Sequence, residues 1–368
     1  MTVRQVLDDA IAAGAVPGVI AAVTTLGNDP LVYVKGHDGF GVPLRRDTIV
    51  RIASITKPIV TVAALRLLER GEADITDPIS HWLPELAGRP VLCAEDAALD
   101  DTVPAARAVT IEDVLTGRCG DGMLPRFPMD APIQVAYAAA RLGSDGPPGS
   151  YPLPPPAEWL RRLAALPLAA QPGTRWLYQT PNDVLGVLVS RIAGEPLPAV
   201  LARQVFGPAG MVDTDFHVPP AKLDRFVPQL ARTADGFAVF DPVAGLWARE
   251  PQFPMGSSGL VSTLDDLIAF TGALHDGRLI SDPMLTAATT DRLTAAQRAD
   301  AEVFLDGAGW GYGLCVESDG RYGWDGGLGT GWRTDPNTGR TDLLLTQVLW
   351  EDPGGPQLLA EFRERAHA

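Results

Sequence analysis

The sequence predicts an α/β (α+β) chain of two closely packed domains, one assembled from both termini and the other inserted between them. Three observations carry that prediction. The length of 368 residues suits two packed domains better than one simple one. Strand-like runs sit towards both ends, at 18–36 and 309–349, while short helical patterns fill the middle. The texture also changes near 85 and near 255, and the stretch between is rich in Pro, Ala and Arg. The economical division is a sheet-bearing domain from 1–85 and 256–368, a mostly helical insertion from 86–255, and an active site in the cleft between them.

Each element has its own signal. Val3, Val6, Leu7 and Ile11 recur at helical spacing over 3–13. "GVIAAVTT" and "PLVYVKG" are short β-rich runs separated by "LGND", which reads as a hairpin. A helix follows from about Ser54 to Arg70, with Val62, Leu65 and Leu68 repeating at three and Gly71 as its stop. In the middle, helical patterns cover 110–116, 157–165, 181–193 and 196–205. "GSDGPPGSYPLPPP", 143–156, is a loop by composition, and Tyr151 within it either lies on an exposed segment or overhangs a pocket. "STLDDLIAFTGALHDG" carries an N-cap, acids in its first turn and a final glycine, all helix signals. "GWGYGLCVE", "RYGWDGG" and "TDLLLTQVL" read as strands, and "GGPQLLAEFRERAHA" as a closing helix.

Composition narrows the function. The net charge of −15, with no basic run, argues against a nucleic-acid or anionic-membrane partner. Cys93, Cys119 and Cys315 show no metal or redox spacing and read as reduced thiols of a cytoplasmic protein. The N-terminal stretch lacks the long apolar core of a signal peptide, and no apolar run approaches the ~18 residues of a membrane span. The five histidines are scattered, so no metal site is expected. "GGLGTG" does not complete a dinucleotide motif, so no cofactor is expected.

One local pattern carries chemistry. "RIASITKPIV" places Lys57, one of three lysines, three residues after Ser54. On a helix the two share a face, with Cβ atoms about 5–6 Å apart, within reach for an amine to take a hydroxyl proton. Chance predicts roughly 0.08 such pairs from ten serines and three lysines. Pro58 lacks the N–H that would bond the carbonyl of residue 54, which sets the helix start at or near Ser54, at the positive end of the helix dipole. Half-neutrality of a lysine at pH 7 requires about 4.6 kcal/mol of bias. The dipole supplies only about 0.3–1 kcal/mol, so burial must supply the rest. The plain alternative is a helix cap followed by a solvated lysine.

Two further segments offer partners. Tyr178 precedes a Thr-Pro-Asn turn and a helix bearing Val184, Leu185, Leu188 and Ile192; held between cations, its hydroxyl could ionise and shuttle protons, and otherwise it is a core or rim tyrosine. "RYGWDGGLGTGW", 321–332, allows close backbone approach; an N–H there could pair with that of Ser54 as an oxyanion hole, and otherwise it is a glycine-rich turn between two strands.

Taken together, "SITK", the tyrosine before a "DVLG" helix and the glycine-rich strand resemble the serine β-lactamase and penicillin-binding-protein superfamily, in its class C β-lactamase, D-aminopeptidase and family VIII esterase branch. "PGTRWLY", "GSSGLVSTLDDLIAF" and "WGYGL" extend the resemblance over about 8–350. It implies a mixed, mainly antiparallel sheet flanked by helices, with a helical insertion. It also implies Ser54 as nucleophile, Lys57 and Tyr178 as proton-transfer groups, a third motif on Trp324, Asp325 and Gly326, and oxyanion donors at the N–H groups of Ser54 and Gly327. Two departures matter. Thr180 stands where the family commonly has Asn, and Asn182 is out of register to replace it. Trp324 stands where Lys or His usually begins the third motif, offering an apolar wall in place of a cation.

The expected activity is therefore hydrolysis of small carboxylic esters through an acyl-enzyme on Ser54. Acyl transfer to an alcohol or amine is the first alternative; β-lactamase or D-amino peptidase activity, or a silent ligand-binding homologue, follow. The expected partner is a small-molecule ester, amide or acyl donor.

Overall fold

The computed structural model describes residues 1–25, 28–143, 147–351 and 355–368. Parts of the "LGND" turn, of the 143–156 loop and of the start of the closing segment lie outside the described residues. Helix α1 (Val3–Ala12) opens the chain. Its start is set by a capping box: the Thr2 hydroxyl accepts from the Gln5 N–H at 3.3 Å, and the Gln5 side chain accepts from the Thr2 N–H at 2.7 Å.

Seven strands form the main sheet among the described residues: β1 (Gly18–Thr24), β2 (Leu31–Gly36), β3 (Gly309–Trp310), β4 (Cys315–Val316), β5 (Tyr322–Gly326), β6 (Thr330–Thr334) and β7 (Thr341–Leu345). Their order is β2-β1-β7-β6-β5-β4-β3, with antiparallel pairing throughout. The two ends of the chain meet where β1 pairs β7, with Ile20 opposite Leu345 and Ala22 opposite Leu343.

The period of two sorts side chains onto two faces. Val19, Ala21, Val23 and Leu344 pack with α1 and with α5 (Gln357–Ala366). Ile20, Ala22, Leu343 and Leu345 face the larger core, together with α2 (Thr56–Glu69) and α4 (Leu264–His275). Joining the ends of so long a chain costs about 5 kcal/mol in loop closure. Burial of Val6, Leu7, Leu358, Leu359 and Phe362 between the two terminal helices and the sheet offsets that cost.

Several elements differ from the sequence reading. β6 lies within and just beyond the stretch read as a glycine-rich turn; only 327–329 turn, and Trp332 returns opposite Trp324. The "GWGYGLCVE" run is not one strand but the short pair β3 and β4, folded back with Trp310 opposite Cys315. The helix expected from Ser54 starts as a 3₁₀ turn, Ala53–Ile55, and becomes α-helical at Thr56. The middle of the chain holds helices Ile111–Leu115, Pro156–Ala164, α3 (Thr180–Ala193) and Leu197–Leu201 near the expected places. It also holds the unforeseen helix Pro132–Ala139 and a hairpin, Gln229–Thr233 with Gly236–Asp241. α2 is buried almost all round from Thr56 to Leu65, as a helix between a sheet and other helices must be.

Candidate active site

Three chain segments meet at the N-terminal end of α2. Ser54 sits in the 3₁₀ turn just before the helix, following Ala53 at φ +44°, a conformation that side-chain-bearing residues rarely take. β5 docks on this turn because residue 326 is glycine: a Cβ there would stand 2.3 Å from the Ile52 carbonyl oxygen. That contact brings Gly327 into the wall of the cavity that Ser54 also lines, a space of about 940 Å³.

Lys57 is fully buried, and its Nζ has three partners at 2.8 Å: Ser54 Oγ, Gln179 Oε1 and the Ser257 carbonyl. An ammonium donates to all three. A neutral amine has only two N–H groups, and the two carbonyl oxygens can only accept. The amine's lone pair is then left for Ser54, whose O–H can donate to it. The site therefore aims the lysine lone pair at the serine. Burial drives Lys57 well below its ordinary range, while Asp183 holds it partly up.

Tyr178 comes from the other side of the cleft, and its hydroxyl stands 3.0 Å from Ser54 Oγ. Its ring packs against Trp176 at 5.5 Å and Phe304 at 4.8 Å, which touch each other at 6.1 Å, and Lys57 Nζ lies 4.3 Å from the ring centre. The Trp324 indole N–H donates to the phenol oxygen at 2.9 Å. Trp324 is thus more than the apolar wall its position suggested; it supplies a neutral donor where the resemblance would place a cation. Burial pushes the Tyr178 phenol up to about 12, against the pull of the Ser54 and Trp324 hydrogen bonds. Its hydrogen-bond partners, Ser54 and Trp324, are uncharged, Lys57 faces its ring, and burial prevails, so the reading in which flanking cations ionise the phenol is not the one the site favours.

Other expected residues separate. Asp325 borders the cavity, but its carboxylate is engaged by Arg333 at 2.9 Å, Arg363 at 2.8 Å and the Trp332 N–H at 3.2 Å, which ties α5 to the sheet. Gly326 serves the docking of β5. Tyr151 does not reach the Ser54 cavity; it lies beside Gly149 and Leu153, with the Arg141 guanidinium 5.7 Å from its ring centre. Thr180 and Asn182 are buried in the first turn of α3.

The residues that sequence reasoning missed are Gln179, Asp183 and the Ser257–Ser258 pair. Gln179 has φ +70° and ψ −72°, and the Thr180 N–H bonds the Tyr178 carbonyl at 2.9 Å across it. That is a γ-turn of the rare, strained kind, costing about 1–3 kcal/mol. It turns the Gln179 amide under the tyrosine so that Oε1 meets Lys57 while Nε2 donates to Ser258 Oγ at 3.3 Å. Asp183, fully buried on α3, accepts both the N–H and the hydroxyl of Ser257 at 3.0 Å. These bonds fix Ser257, whose carbonyl holds Lys57. Burial pushes the Asp183 carboxyl up, and the Ser257 donors and Lys57 pull it back. The visible signal was an aspartate on an otherwise apolar helix face.

The profile of the beta-lactamase family matches residues 3–357. Protein Rv1367c of Mycobacterium tuberculosis is 34% identical over 374 residues, covering 96% of this chain and 89% of that protein. Esterase EstB of Burkholderia gladioli is 32% identical over 397 residues, covering 99% of this chain and 94% of EstB. Among solved structures, EstCE1, "a hydrolase with promiscuous acyltransferase activity", superposes with a TM-score of 0.82 at 25% identity, covering 100% of this chain and 97% of EstCE1. With that match running through the segments that carry Ser54, Lys57, Tyr178 and Trp324, the chain belongs to the beta-lactamase family and is one of its serine hydrolases.

Proposed function

We propose that this protein hydrolyses small carboxylic esters through an acyl-enzyme on Ser54. The observation that carries the proposal is the convergence on one oxygen: Lys57 Nζ at 2.8 Å and Tyr178 OH at 3.0 Å from Ser54 Oγ. Neutral Lys57 takes the serine proton as Oγ attacks the ester carbonyl carbon. The N–H groups of Ser54 and Gly327 face the oxyanion. As the acyl C–O bond breaks, its electron pair stays on the alcohol oxygen, which takes the Tyr178 proton; the Lys57 ammonium then restores the phenol. Water repeats the sequence to release the acid. The neutral Trp324 donor, in place of a cation, favours esters over carboxylate-bearing β-lactams, and the name of EstB supports the same reading.

Intact-mass spectrometry during turnover of p-nitrophenyl butyrate tests this. The wild type is expected to gain a butyryl increment that Ser54→Ala lacks, and that variant should lose turnover. Retained turnover in Ser54→Ala would remove the nucleophile. Acyl transfer is the second reading, favoured by a cavity of about 940 Å³, which exceeds the needs of a butyryl group plus water, and by the activity named for EstCE1. Added alcohols or amines that divert product from butyrate to a new ester or amide would establish it.

A further inference from the structure

The hydroxyl that protonates the departing alcohol must touch it, so the cavity wall beside Tyr178 is the wall that the alcohol half of the substrate meets. The Tyr178 ring belongs to an aromatic run reaching from the core to the surface. Trp176 and Phe304 both lie against it, at 5.5 and 4.8 Å, and touch each other at 6.1 Å; Phe127 then meets Phe304 edge-on at 6.0 Å. Exposure rises along the run, from 1% at Trp176 to 51% at Phe127. A lone exposed phenylalanine is ordinary on a protein surface. Phe127 differs because it lines the Ser54 cavity beside Met123 and Met129 and continues the stack that holds the phenol. Thioethers adapt their shape to flat rings, and aromatic pairs favour centroid separations of about 4.5–7 Å.

We propose that Phe304 and Phe127 form a platform for the alcohol portion of the substrate, and that this portion is an arylmethyl group of benzyl or naphthylmethyl type. The proposal rests on Tyr178 as proton donor to the leaving alcohol. By microscopic reversibility the same platform receives the acceptor alcohol if the acyl group is transferred.

The test compares kcat/KM for ethyl, benzyl and 2-naphthylmethyl butyrate, whose alcohols differ little in acidity, in the wild type and in Phe127→Ala. Half-exposed Phe127 can be truncated without opening the core, and the ratio of naphthylmethyl to ethyl ester is the readout. The wild type is expected to favour the naphthylmethyl ester, and Phe127→Ala to cut that ratio about tenfold. A wild type with no arylmethyl preference, or a ratio unmoved in Phe127→Ala, overturns the platform while ethyl butyrate turnover leaves the hydrolase reading standing. A wild type that turns over none of the three overturns both.

Discussion

Replacing Asp183 with asparagine isolates the charge that keeps Lys57 in balance. The carboxylate lies one residue removed from the amine: it holds Ser257 by two bonds of 3.0 Å, and the Ser257 carbonyl holds Lys57 Nζ at 2.8 Å. Its negative charge favours the ammonium, while burial favours the amine. An opposite charge close by is worth about 1–3 pKa units, and the intervening serine sets the effect near the lower end, about 1 unit. Asparagine removes the charge and keeps the shape. Its oxygen still accepts from one Ser257 donor, and the Ser257 hydroxyl can turn to Ser258 Oγ at 3.2 Å, so the cost in stability stays near 1 kcal/mol. The sign then follows. Without the carboxylate, Lys57 falls further and becomes neutral at lower pH. The acid limb of kcat/KM for p-nitrophenyl butyrate is expected to move about 1 unit towards acid in Asp183→Asn. On that limb the variant gains relative to the wild type, up to about tenfold, even if its plateau is lower. Stability carries a second sign. Asp183 is raised by burial, so its contribution is complete below pH 3.8 and fades as pH rises through its folded value; the variant loses this dependence. A limb that stays in place or moves towards alkali would refute Lys57 as the titrating base.

Three other substitutions test neighbouring points. Gln179→Glu sets a carboxylate against Lys57, where the amide oxygen now stands at 2.8 Å, and should move the same limb about 1–3 units towards alkali; an unmoved pH profile would disconnect the two residues. Trp324→Phe keeps the ring and removes the donor to Tyr178, so kcat should fall about 2- to 12-fold with little change in KM; a loss confined to KM would return Trp324 to the role of a wall. Asp213, held down to about 2 by Arg225 at 2.5 Å and Lys222 at 2.8 Å, contributes stability above pH 3.8 that is lost as pH falls through its folded value. Asp213→Asn should therefore lower Tm at pH 7 and converge on the wild type as the pH drops below 4; a constant difference would count against the ion pair.

Much of the frame was legible because its causes are local. The helical spacing of Val3, Val6, Leu7 and Ile11, the β-rich run of β1 and the stop at Gly71 each operate within a few residues. β6 escaped notice because glycines surround it, and its partner β7 supplies the apolar signal that it lacks. The helix Pro132–Ala139 was overlooked in a stretch whose Pro and Ala content marked it as irregular. Asp325 and Tyr151 were placed with the substrate by motif and by loop position. Arginines from β6 and α5 claim the first, and packing carries the second away from Ser54.

What the sequence determined by itself was the pair Ser54 and Lys57, since one helical turn puts them together, and through its resemblance to a family the phenol 124 residues from that serine. Only the tertiary structure decided which way the lysine's lone pair points and what stands beside the phenol. The carbonyl of Ser257 is a backbone group that every residue carries, and the reach of Gln179 depends on a strained turn that no propensity favours. Packing selects such groups by where they land, and residue type alone does not encode that.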